Sequence, residues 1–353
     1  MNQRGGAERV FAHFARAWPQ APVFTALYDE RVCGDLVARE RVHTSWVARI
    51  PGANRAFRYL APLYPRAFEA FDLSAFDTIV SSTTAWGKGV IVPPGAVHVC
   101  FVNTVSRFVF AYDEYVGGFG AASLMRPLVR RLVDWDRAAA MRPTLLLANS
   151  RNVAARIRRY YGRDAEVLHS PVDVARFTPG NGSGDYFIIA SRLLPYKRID
   201  LAIRAAQIAG VPLLVAGTGP AEAALRRLAR GTTTTLLGYV DDARLNALLG
   251  EARAAILPGE EDFGLVPLEA AAAGRPTIVF RGGGALETVI EGETGVFFDE
   301  ASPESLASAL RGFDPSRFDA GRLRAHAEGF APERFIARLR EVVERVRGET
   351  KST

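Results

Sequence analysis

Short apolar runs alternate with amphipathic stretches along most of the chain. A short apolar run between turn-forming residues predicts a buried strand, and helical spacing of apolar residues predicts a helix. Strands and helices in alternation favour an α/β fold with parallel sheets. The predicted strands are Pro22–Leu27, Thr78–Ser81, His98–Asn103 and Thr144–Ala148 in a first series, then Tyr186–Ala190, Leu213–Ala216, Thr234–Leu237, Ala254–Leu257 and Thr277–Phe280. Helices are predicted at Glu8–Ala17, Arg151–Tyr161 and Pro332–Arg347.

The stretch between the two series, residues 170–184, is rich in proline, glycine and serine, as are linkers between domains. We therefore predict two doubly wound, Rossmann-like domains, residues 1–169 and 170–331, that face each other across a cleft. In such sheets, ligands bind at the carboxyl ends of the strands. The last helix is amphipathic and must pack on a neighbouring element through its apolar face, which comprises Phe335, Ile336, Leu339, Val342, Val343 and Val346.

The segment Arg4-Gly5-Gly6-Ala7-Glu8 has the pattern of a glycine turn between a strand and a helix, yet almost no chain precedes it. Too few residues are present to form the strand. We expect either that the first strand of the N-terminal domain is missing or that the true start lies upstream.

Composition narrows the class of protein. The 353 residues are 48% hydrophobic and 23% charged, which suits a soluble protein with two full cores. No apolar stretch approaches the roughly 20 residues that a membrane span needs, and the N-terminus lacks the apolar core of a signal peptide. Cys33 and Cys100 stand far apart and outside any metal-ligand spacing. These features predict a cytoplasmic protein in a reducing compartment.

Arginine supplies nearly all of the positive charge in a net charge of +6, because lysine occurs only at positions 88, 197 and 351. The excess favours an anionic partner, whether a nucleotide, a phospholipid surface or a phosphorylated acceptor. Nucleic acid is not expected, since the sequence has no zinc-finger spacing, aromatic RNA-binding signature or basic recognition helix. Because lysine is so scarce, a lysine beside a strand end is less easily explained by chance.

Residues 260–274, Glu-Glu-Asp-Phe-Gly-Leu-Val-Pro-Leu-Glu-Ala-Ala-Ala-Ala-Gly, form the most informative stretch of the chain. Pro267 suits the first turn of a helix, and Gly274 suits its end. Glu261 then lies on the loop between a strand and this helix, and Glu269 lies inside the helix.

The start of that helix predicts an anion site. The backbone N–H groups of Phe263, Gly264 and Leu265 lie at the positive end of the helix dipole. A carboxylate on each side of a bound anion, from Glu261 and Glu269, would suit the hydroxyl groups of a sugar phosphate.

A second polar cluster follows the strand Tyr186–Ala190. Arg192 and Lys197 stand on its loop and in the next helical turn. Arginine grips phosphate oxygens as a fork and lysine adds a compact charge, so the pair suits a phosphate site. The alternative is two solvated surface cations. The scarcity of lysine favours the site.

Glycine turns follow two further strands. Gly217-Thr218-Gly219-Pro220 permits either approach of a ligand to the backbone or a tight crossover, and both interpretations stay open. Gly282-Gly283-Gly284 has more glycine than a turn requires, which favours function. Thr294-Gly295, before Val296-Phe297-Phe298, favours a structural hairpin or turn.

Asp134-Trp135-Asp136 has the appearance of a metal-binding aspartate pair, but it lies in the arginine-rich helical stretch 126–142 rather than at a strand end. We expect no metal site, and expect the two acids to pair with Arg130, Arg131 or Arg137. The same stretch interleaves arginines with apolar residues, as a helix lying on an anionic membrane would. The alternative is a solvated helix packed on its own domain.

With Arg192, Lys197, Glu261 and Glu269 in this order at strand ends, the chain resembles retaining glycosyltransferases of family 4, which have the GT-B fold. The motifs are most specific over residues 186–299. The resemblance extends more loosely to three N-terminal stretches, and the stretch 262–269 is typical of bacterial mannosyltransferases of polysaccharide assembly. The N-terminal stretches are Gly5–Glu8, Phe101–Tyr115 and Ala148–Ser150.

The resemblance implies transfer of a hexose, with mannose from GDP-mannose as one candidate, from a nucleotide-sugar donor to a glycan or lipid-linked acceptor. No metal cofactor is implied. Arg192 and Lys197 would hold the donor diphosphate and stabilise its charge as the bond to the sugar breaks. Glu261 would contact the donor sugar and Glu269 the ribose.

Further donor contacts are implied for the backbone of both domains. The last helix of such folds crosses back to the first domain. On the ligand interpretation of its turn, Gly217 also belongs to the donor site. The remaining implied contacts are Gly5, Gly6, Phe263, Gly264 and Leu265 at phosphate, and Gly238, Tyr239 and Val240 near the base.

One residue departs from the family pattern. Asn103 stands where members often carry a histidine near the donor sugar and acceptor. Asparagine can hydrogen-bond a hydroxyl but does not titrate near neutral pH, so acid–base chemistry at that point is lost. A catalytically impaired nucleotide-sugar-binding protein is therefore an alternative, as is a sugar-nucleotide epimerase or hydrolase on the same architecture.

Overall fold

A computed structural model describes residues 1–3, 5–106, 110 and 122–351. The chain divides into two compact units, an N-terminal unit of Met1–Ser170 with Glu333–Thr353 and a C-terminal unit of Pro171–Pro332. Arg4 of the predicted glycine turn, and residues 107–109 and 111–115 of the stretch Phe101–Tyr115, lie outside the described residues. Among the helices that are described, none is long and apolar enough to cross a bilayer.

The strands of the described residues are β1 Val23–Thr25, β2 Val42–Thr44, β3 Thr78–Thr83, β4 Val97–Val102, β5 Leu145–Ala148, β6 Glu166–Val167, β7 Phe187–Ala190, β8 Leu213–Ala216, β9 Thr234–Gly238, β10 Ala254–Leu257, β11 Thr277–Phe280 and β12 Gly295–Phe298. The α-helices are α1 Gly6–Ala17, α2 Glu30–Cys33, α3 Ala53–Ala56, α4 Tyr64–Glu69, α5 Ala122–Ala140, α6 Arg151–Tyr161, α7 Ile199–Ala209, α8 Glu222–Leu228, α9 Asp242–Glu251, α10 Leu265–Ala272, α11 Ala285–Thr288, α12 Pro303–Arg311, α13 Ala320–Glu328 and α14 Pro332–Lys351. Short 3₁₀ turns lie at Arg39–Arg41, Trp46–Arg49, Ala61–Leu63, Gly87–Gly89, Val174–Arg176, Pro195–Lys197 and Pro315–Arg317.

Six parallel strands form the sheet of the C-terminal unit, in the order β12-β11-β10-β7-β8-β9. The chain enters at β7 in the middle, builds outward to β9, returns to β10 on the other side of β7 and ends at β12. This is the doubly wound order of a Rossmann-like domain, and strand order reverses between β7 and β10. The carboxyl ends of these two strands are therefore where a ligand is expected.

Alternate residues of β7 point to opposite faces of this sheet. Phe187 and Ile189 pack in one hydrophobic cluster with helices α7 and α12. Ile188 packs in the other cluster, with helices α9, α10 and α13. A strand buried on both faces needs apolar residues at every position, which is why this series reads as continuous apolar runs in the sequence.

Of the hairpin or turn predicted at Thr294–Phe298, the turn is present and the hairpin is wrong. Thr294 lies in a turn, and its N–H donates to the carbonyl of Ile290 at 2.8 Å. Residues Gly295–Phe298 form β12, which pairs in parallel with β11 so that Thr277 lies opposite Gly295. Phe298 is buried in the core cluster beneath helix α12. A parallel edge strand needs a crossover before it, and the short helix α11 supplies part of that connection.

The N-terminal unit has a parallel sheet in the order β3-β4-β5-β6 and a separate parallel pair, β1-β2. Helix α14 completes its core: the ring of Phe335 lies 5.4 Å from that of Phe14 and 5.6 Å from that of Phe101, both in edge-to-face geometry. The Nε of Arg340 donates to the carbonyl of Ala17 at 3.1 Å. The apolar face read from the sequence therefore packs within this unit.

Candidate functional site

Two loops leave the carboxyl ends of the adjacent strands β7 and β10. The first runs from Ser191 to the 3₁₀ turn Pro195–Lys197, and the second runs from Pro258 to the start of α10 at Leu265. Because the strands are parallel neighbours, both loops emerge on one edge of the sheet, at the position where strand order reverses. We call the residues of these two loops and the first turn of α10 the switch-point site.

An ion pair joins the two loops. The Nζ of Lys197 donates a hydrogen bond to Oε1 of Glu261. The two side chains are only 18% and 13% exposed, so their attraction is less screened than that of a surface pair. The Lys197 ammonium also lies 5.2 Å from the ring centroid of Tyr196. Two of the four charged residues predicted for a donor site are thus in direct contact.

Gly259 allows the loops to approach this closely. A Cβ atom at this position would lie 2.7 Å from the carbonyl oxygen of Tyr196 and 3.0 Å from the carbonyl carbon of Lys197. Any side chain would push the lysine-bearing turn away from the second loop. The backbone of residue 259 therefore sets the position of Lys197 relative to Glu261.

The triple-glycine turn after β11 supports the same loop. The N–H of Gly284 donates to the carbonyl of Glu261 at 2.8 Å. This bond fixes the backbone of Glu261 from the turn that follows a third strand, β11. A Cβ atom at Gly284 would lie 2.3 Å from the Cα of Phe263, which is a structural reason for glycine at this turn, where the sequence favoured a functional one.

The loop after β7 is hydrogen-bonded to the turn after β8, which is in turn bonded to the end of β9. The N–H of Leu193 donates to the carbonyl of Thr218 at 3.0 Å, and the N–H of Gly217 donates to the carbonyl of Gly238 at 2.7 Å. The turns after β7, β8 and β9 are therefore bonded in sequence. Gly217 has a structural role in this chain of bonds, and its contact with a donor stays a prediction. The side chain of Arg192, on the same loop, is exposed.

Gly264 begins helix α10 in a left-handed conformation, with φ of 85°, which a side chain would strain. Leu265 is the first residue of the helix and Glu269, which is half-buried, lies one turn further on. Phe263 is 4% exposed and packs on Phe330 with ring centroids 6.0 Å apart, so its side chain belongs to the core. Any ligand contact of Phe263 would come from its backbone.

The residues predicted near the base lie at the end of β9. Gly238 is the last residue of the strand, and Tyr239 follows it with 78% of its surface exposed. Val240 is half-buried and packs on the hydrophobic cluster beneath α10. Of these three residues, Tyr239 therefore has the side chain that is exposed to solvent.

The N-terminal unit holds the other predicted residues. Gly5 caps helix α1, and its N–H donates to Oε2 of Glu8 at 3.1 Å, while Gly6 is exposed at the first helical position. Asn103 is buried directly after β4, and its Nδ2 donates to Oγ of Ser82 at 2.8 Å and, more weakly, to the carbonyl of Thr83 at 3.3 Å. The Asn103 amide is thus engaged with the neighbouring strand end.

This unit contains a buried ion pair that was not predicted from the sequence. The Nζ of Lys88 lies 2.6 Å from Oδ1 of Asp136, and the two side chains are 1% and 0% exposed. Oδ1 also accepts from Ser106 at 2.9 Å, and Oδ2 accepts from the hydroxyl of Tyr161 at 2.6 Å. Burial, followed by the Asp136 charge, raises the pKa of Tyr161. The scarcity of lysine was a signal that could have identified Lys88.

The expected pairing of Asp136 with Arg130, Arg131 or Arg137 is wrong. All three arginines are exposed, whereas Asp136 faces the interior of the unit. Asp134 is exposed on the same helix. Over residues 1–3, 5–106, 110 and 122–351, no group of acidic, histidine and cysteine side chains is arranged to hold a metal ion.

Leu132 and Trp135 of helix α5 pack inside the N-terminal unit. The Trp135 ring lies 5.6 Å from that of Trp86, and its Nε1 donates to Oε1 of Glu69 at 2.8 Å. Leu132 is buried, and Arg142, just after the helix, pairs with Glu69 at 2.6 Å. These contacts agree with a helix packed on its own domain.

The chain is similar in sequence to known glycosyltransferases. Residues 175–313 match the family model for glycosyl transferases group 1. The chain is 29% identical over 252 residues to a D-inositol 3-phosphate glycosyltransferase of Geodermatophilus obscurus, covering 61% of this chain and 55% of the relative. It is 29% identical over 265 residues to a GDP-mannose-dependent alpha-(1-6)-phosphatidylinositol monomannoside mannosyltransferase of Mycolicibacterium smegmatis, covering 59% of this chain and 69% of the relative. The match thus spans little more than half the length of the first of these relatives.

Solved structures share the fold over nearly the whole chain. Sucrose-phosphate synthase from Thermosynechococcus elongatus superposes with a TM-score of 0.72 at 18% identity, covering 96% of this chain and 91% of that one. Anabaena HepE, solved in complex with UDP-glucose, gives a TM-score of 0.68 at 17% identity, covering 98% and 97%. The predicted fold class is confirmed: the chain has the α/β GT-B fold with two Rossmann-like domains, and its C-terminal unit matches glycosyl transferases group 1.

Proposed function

We propose that the chain is a retaining glycosyltransferase that moves a hexose from a nucleotide-diphosphate sugar to a glycan or lipid-linked acceptor during cell-surface polysaccharide assembly, on the cytoplasmic side of the membrane. The observation that carries this proposal is the Lys197–Glu261 ion pair at the switch point of the C-terminal sheet. A cation and an acid held together there suit a donor with an anionic diphosphate and a polyhydroxylated sugar.

In the proposed reaction, the bond between the sugar C1 and the diphosphate oxygen breaks, and its electron pair stays on the diphosphate. Lys197 and Arg192 stabilise the growing charge, which is the task that a divalent cation performs in metal-dependent transferases. The acceptor hydroxyl oxygen forms the new bond to C1 on the same face. Its proton passes to the leaving phosphate, so Asn103 need not titrate.

The acids hold the donor in place. Glu261 would accept hydrogen bonds from sugar hydroxyls, and its backbone is already fixed by Gly284. Glu269 would accept from the ribose, one turn into helix α10. The N–H groups at the start of α10 would bind a phosphate oxygen, as helix N-termini do.

The identity of the donor is proposed from the relatives. The Mycolicibacterium relative is named as dependent on GDP-mannose and as acting on a phosphatidylinositol mannoside. HepE was solved with UDP-glucose. We propose GDP-mannose as the first donor to test, with UDP-glucose as the second, and a lipid-linked glycan as the acceptor class.

A panel of nucleotide sugars tests the proposal with the full chain. Transfer to added acceptors and slow donor hydrolysis without acceptor are scored together, with K197M as the control for contaminating enzymes. Turnover of one donor that K197M abolishes supports the proposal. If no donor is turned over although calorimetry detects its binding, the transferase proposal fails.

That failure would favour the second candidate, a nucleotide-sugar-binding protein without activity. The specific observation behind it is Asn103, whose amide is occupied by Ser82 and Thr83. Release of free sugar, or of an altered nucleotide sugar, at a rate independent of acceptor would instead indicate a hydrolase or an epimerase.

A further inference from the structure

A basic segment with exposed aromatic residues lies in the N-terminal unit, distant in sequence from helix α5. Residues 46–66 contain four arginines and no lysine, aspartate or glutamate, so this stretch of 21 residues carries +4 of the net charge of +6. All four arginines are exposed, and no salt bridge in the described part of the chain involves any of them. They are Arg49, Arg55, Arg58 and Arg66.

Exposed aromatic residues accompany the arginines. Trp46 and Arg49 are three residues apart in one 3₁₀ turn, so their side chains point in the same direction. Arg55 and Tyr59 are four residues apart around helix α3 and the turn after it. Tyr59 is 89% exposed and Trp46 is 40% exposed. Tryptophan and tyrosine beside basic residues on an exposed surface are characteristic of membrane-contact surfaces.

The layer beneath this surface is packed, so the exposure does not come from a poorly folded segment. Val47, Ala53 and Tyr64 are buried in one cluster, and the hydroxyl of Tyr64 donates to the carbonyl of Phe57 at 2.8 Å. Burial raises the pKa of Tyr64 to about 12. The exposed residues therefore stand on a fixed scaffold.

We infer that residues 46–66 are a contact surface for an anionic lipid bilayer. Charge complementarity selects an anionic partner, since arginines near a membrane surface are attracted to acidic headgroups. The aromatic residues select lipid, because tryptophan and tyrosine prefer the boundary between headgroups and acyl chains. Exposed Pro51 and Pro62 add apolar surface that the phosphates of a nucleic acid would leave uncovered. This inference goes beyond the proposed function, because binding to vesicles needs neither donor nor acceptor.

Flotation of the full chain with vesicles tests it. We expect binding to vesicles of phosphatidylcholine with phosphatidylglycerol, and little binding to phosphatidylcholine alone. The variant R49E/R55E/R58E is expected to lower the partition coefficient at least about tenfold. The variant W46S/Y59S keeps every charge and is expected to lower it severalfold, which charge attraction alone does not explain.

The matched control is R204E/R227E/R230E, which makes the same charge change at three exposed arginines of the C-terminal unit. It is expected to float as the wild type does. Three outcomes overturn the inference: no flotation of the wild type, equal loss in the control, or tighter binding of a short RNA or an acidic peptide to the same surface. Circular dichroism of each variant shows that the fold is kept, and donor turnover with a water-soluble acceptor, measured in parallel, separates this result from the proposed function.

Discussion

The Lys197 ammonium donates to the Glu261 carboxylate between the carboxyl ends of β7 and β10, where strand order in the C-terminal sheet reverses. The cation proposed to hold the donor diphosphate thus has an acidic partner before any donor binds. A diphosphate must compete with Glu261 for Lys197. Such competition is expected if the ion pair belongs to a donor site, and it is not expected if the pair only stabilises the fold.

Removal of Glu261 is expected to change binding and turnover in opposite directions. In E261A, no carboxylate at position 261 competes for Lys197, so the affinity for a nucleoside diphosphate rises severalfold. Transfer falls by about 10²-fold or more, because the donor sugar is no longer oriented. Calorimetry with GDP and UDP and a transfer assay measure the two effects.

The matched control is E328A, which removes the exposed carboxylate of the Arg324–Glu328 pair in the same unit. It is expected to change neither quantity. If E261A lowered diphosphate affinity, Glu261 would not be a competitor of the ligand, and the proposed arrangement would be wrong.

A methyl group at Gly259 is expected to lower activity without unfolding the chain. In G259A, the new Cβ contacts the carbonyl of Tyr196, and the turn that carries Lys197 must move. A displacement of about 1 Å at a catalytic group costs on the order of 10²-fold in rate. The control is G348A in helix α14, where a Cβ meets nothing within 4 Å. Wild-type activity of G259A would show that the position of this turn does not matter.

The Lys88–Asp136 pair is expected to dominate the stability of the N-terminal unit. K88M leaves a buried carboxylate without its cation and is expected to lower the free energy of unfolding by about 3–5 kcal/mol. The double variant K88M/D136L is expected to recover a large part of this loss, because the uncompensated charge is gone. Urea titrations of the single and double variants measure the coupling.

The control for this cycle is R158Q, which breaks the exposed Arg158–Asp164 pair and is expected to cost about 0–1 kcal/mol. Equal costs for K88M and R158Q would contradict the special role of the buried pair.

His98 is expected to make stability depend on pH in mildly acidic solution. Burial, with a smaller contribution from Arg163, lowers the pKa of His98 from 6.5 to about 3. The unfolded chain therefore binds a proton below pH 6.5 while the folded chain does not, so stability is full above that pH and falls as pH decreases toward 3. Between pH 6.5 and 5 the loss amounts to about 2 kcal/mol.

H98Q is expected to flatten this pH dependence in denaturant titrations, since no titrating ring remains at position 98. The comparison variant is H43Q, which removes an exposed histidine. An unchanged slope in H98Q would contradict a buried, neutral His98.

The C-terminal unit was largely predictable because each central strand is buried on both faces and reads as an apolar run. Strand β12 was misassigned because its glycine and aromatic residues suit a turn as well as an edge strand. Strands β2 and β6 were missed, since Val42–Thr44 and Glu166–Val167 are too short for a periodic signal.

Some of the site residues could likewise be assigned from the sequence, and others could not. Loop positions at strand ends could be assigned from the strands that precede them, which placed Lys197 and Glu261 on loops at carboxyl ends of strands. That the two strands are neighbours is shown by the structure alone. The partner of Asp136 could not be assigned, because it comes from Lys88, which is 48 residues away in the chain. Such contacts depend on how the helices pack in three dimensions, which the local pattern of residues does not determine.

The most direct test is donor turnover by K197M beside the wild type, with donor affinity measured on the same samples. We predict that K197M keeps its fold, binds the nucleotide sugar more weakly and transfers at least about 10²-fold more slowly. Transfer by K197M at the wild-type rate would contradict it, because the lysine at the switch point would then have no role in stabilising the leaving diphosphate.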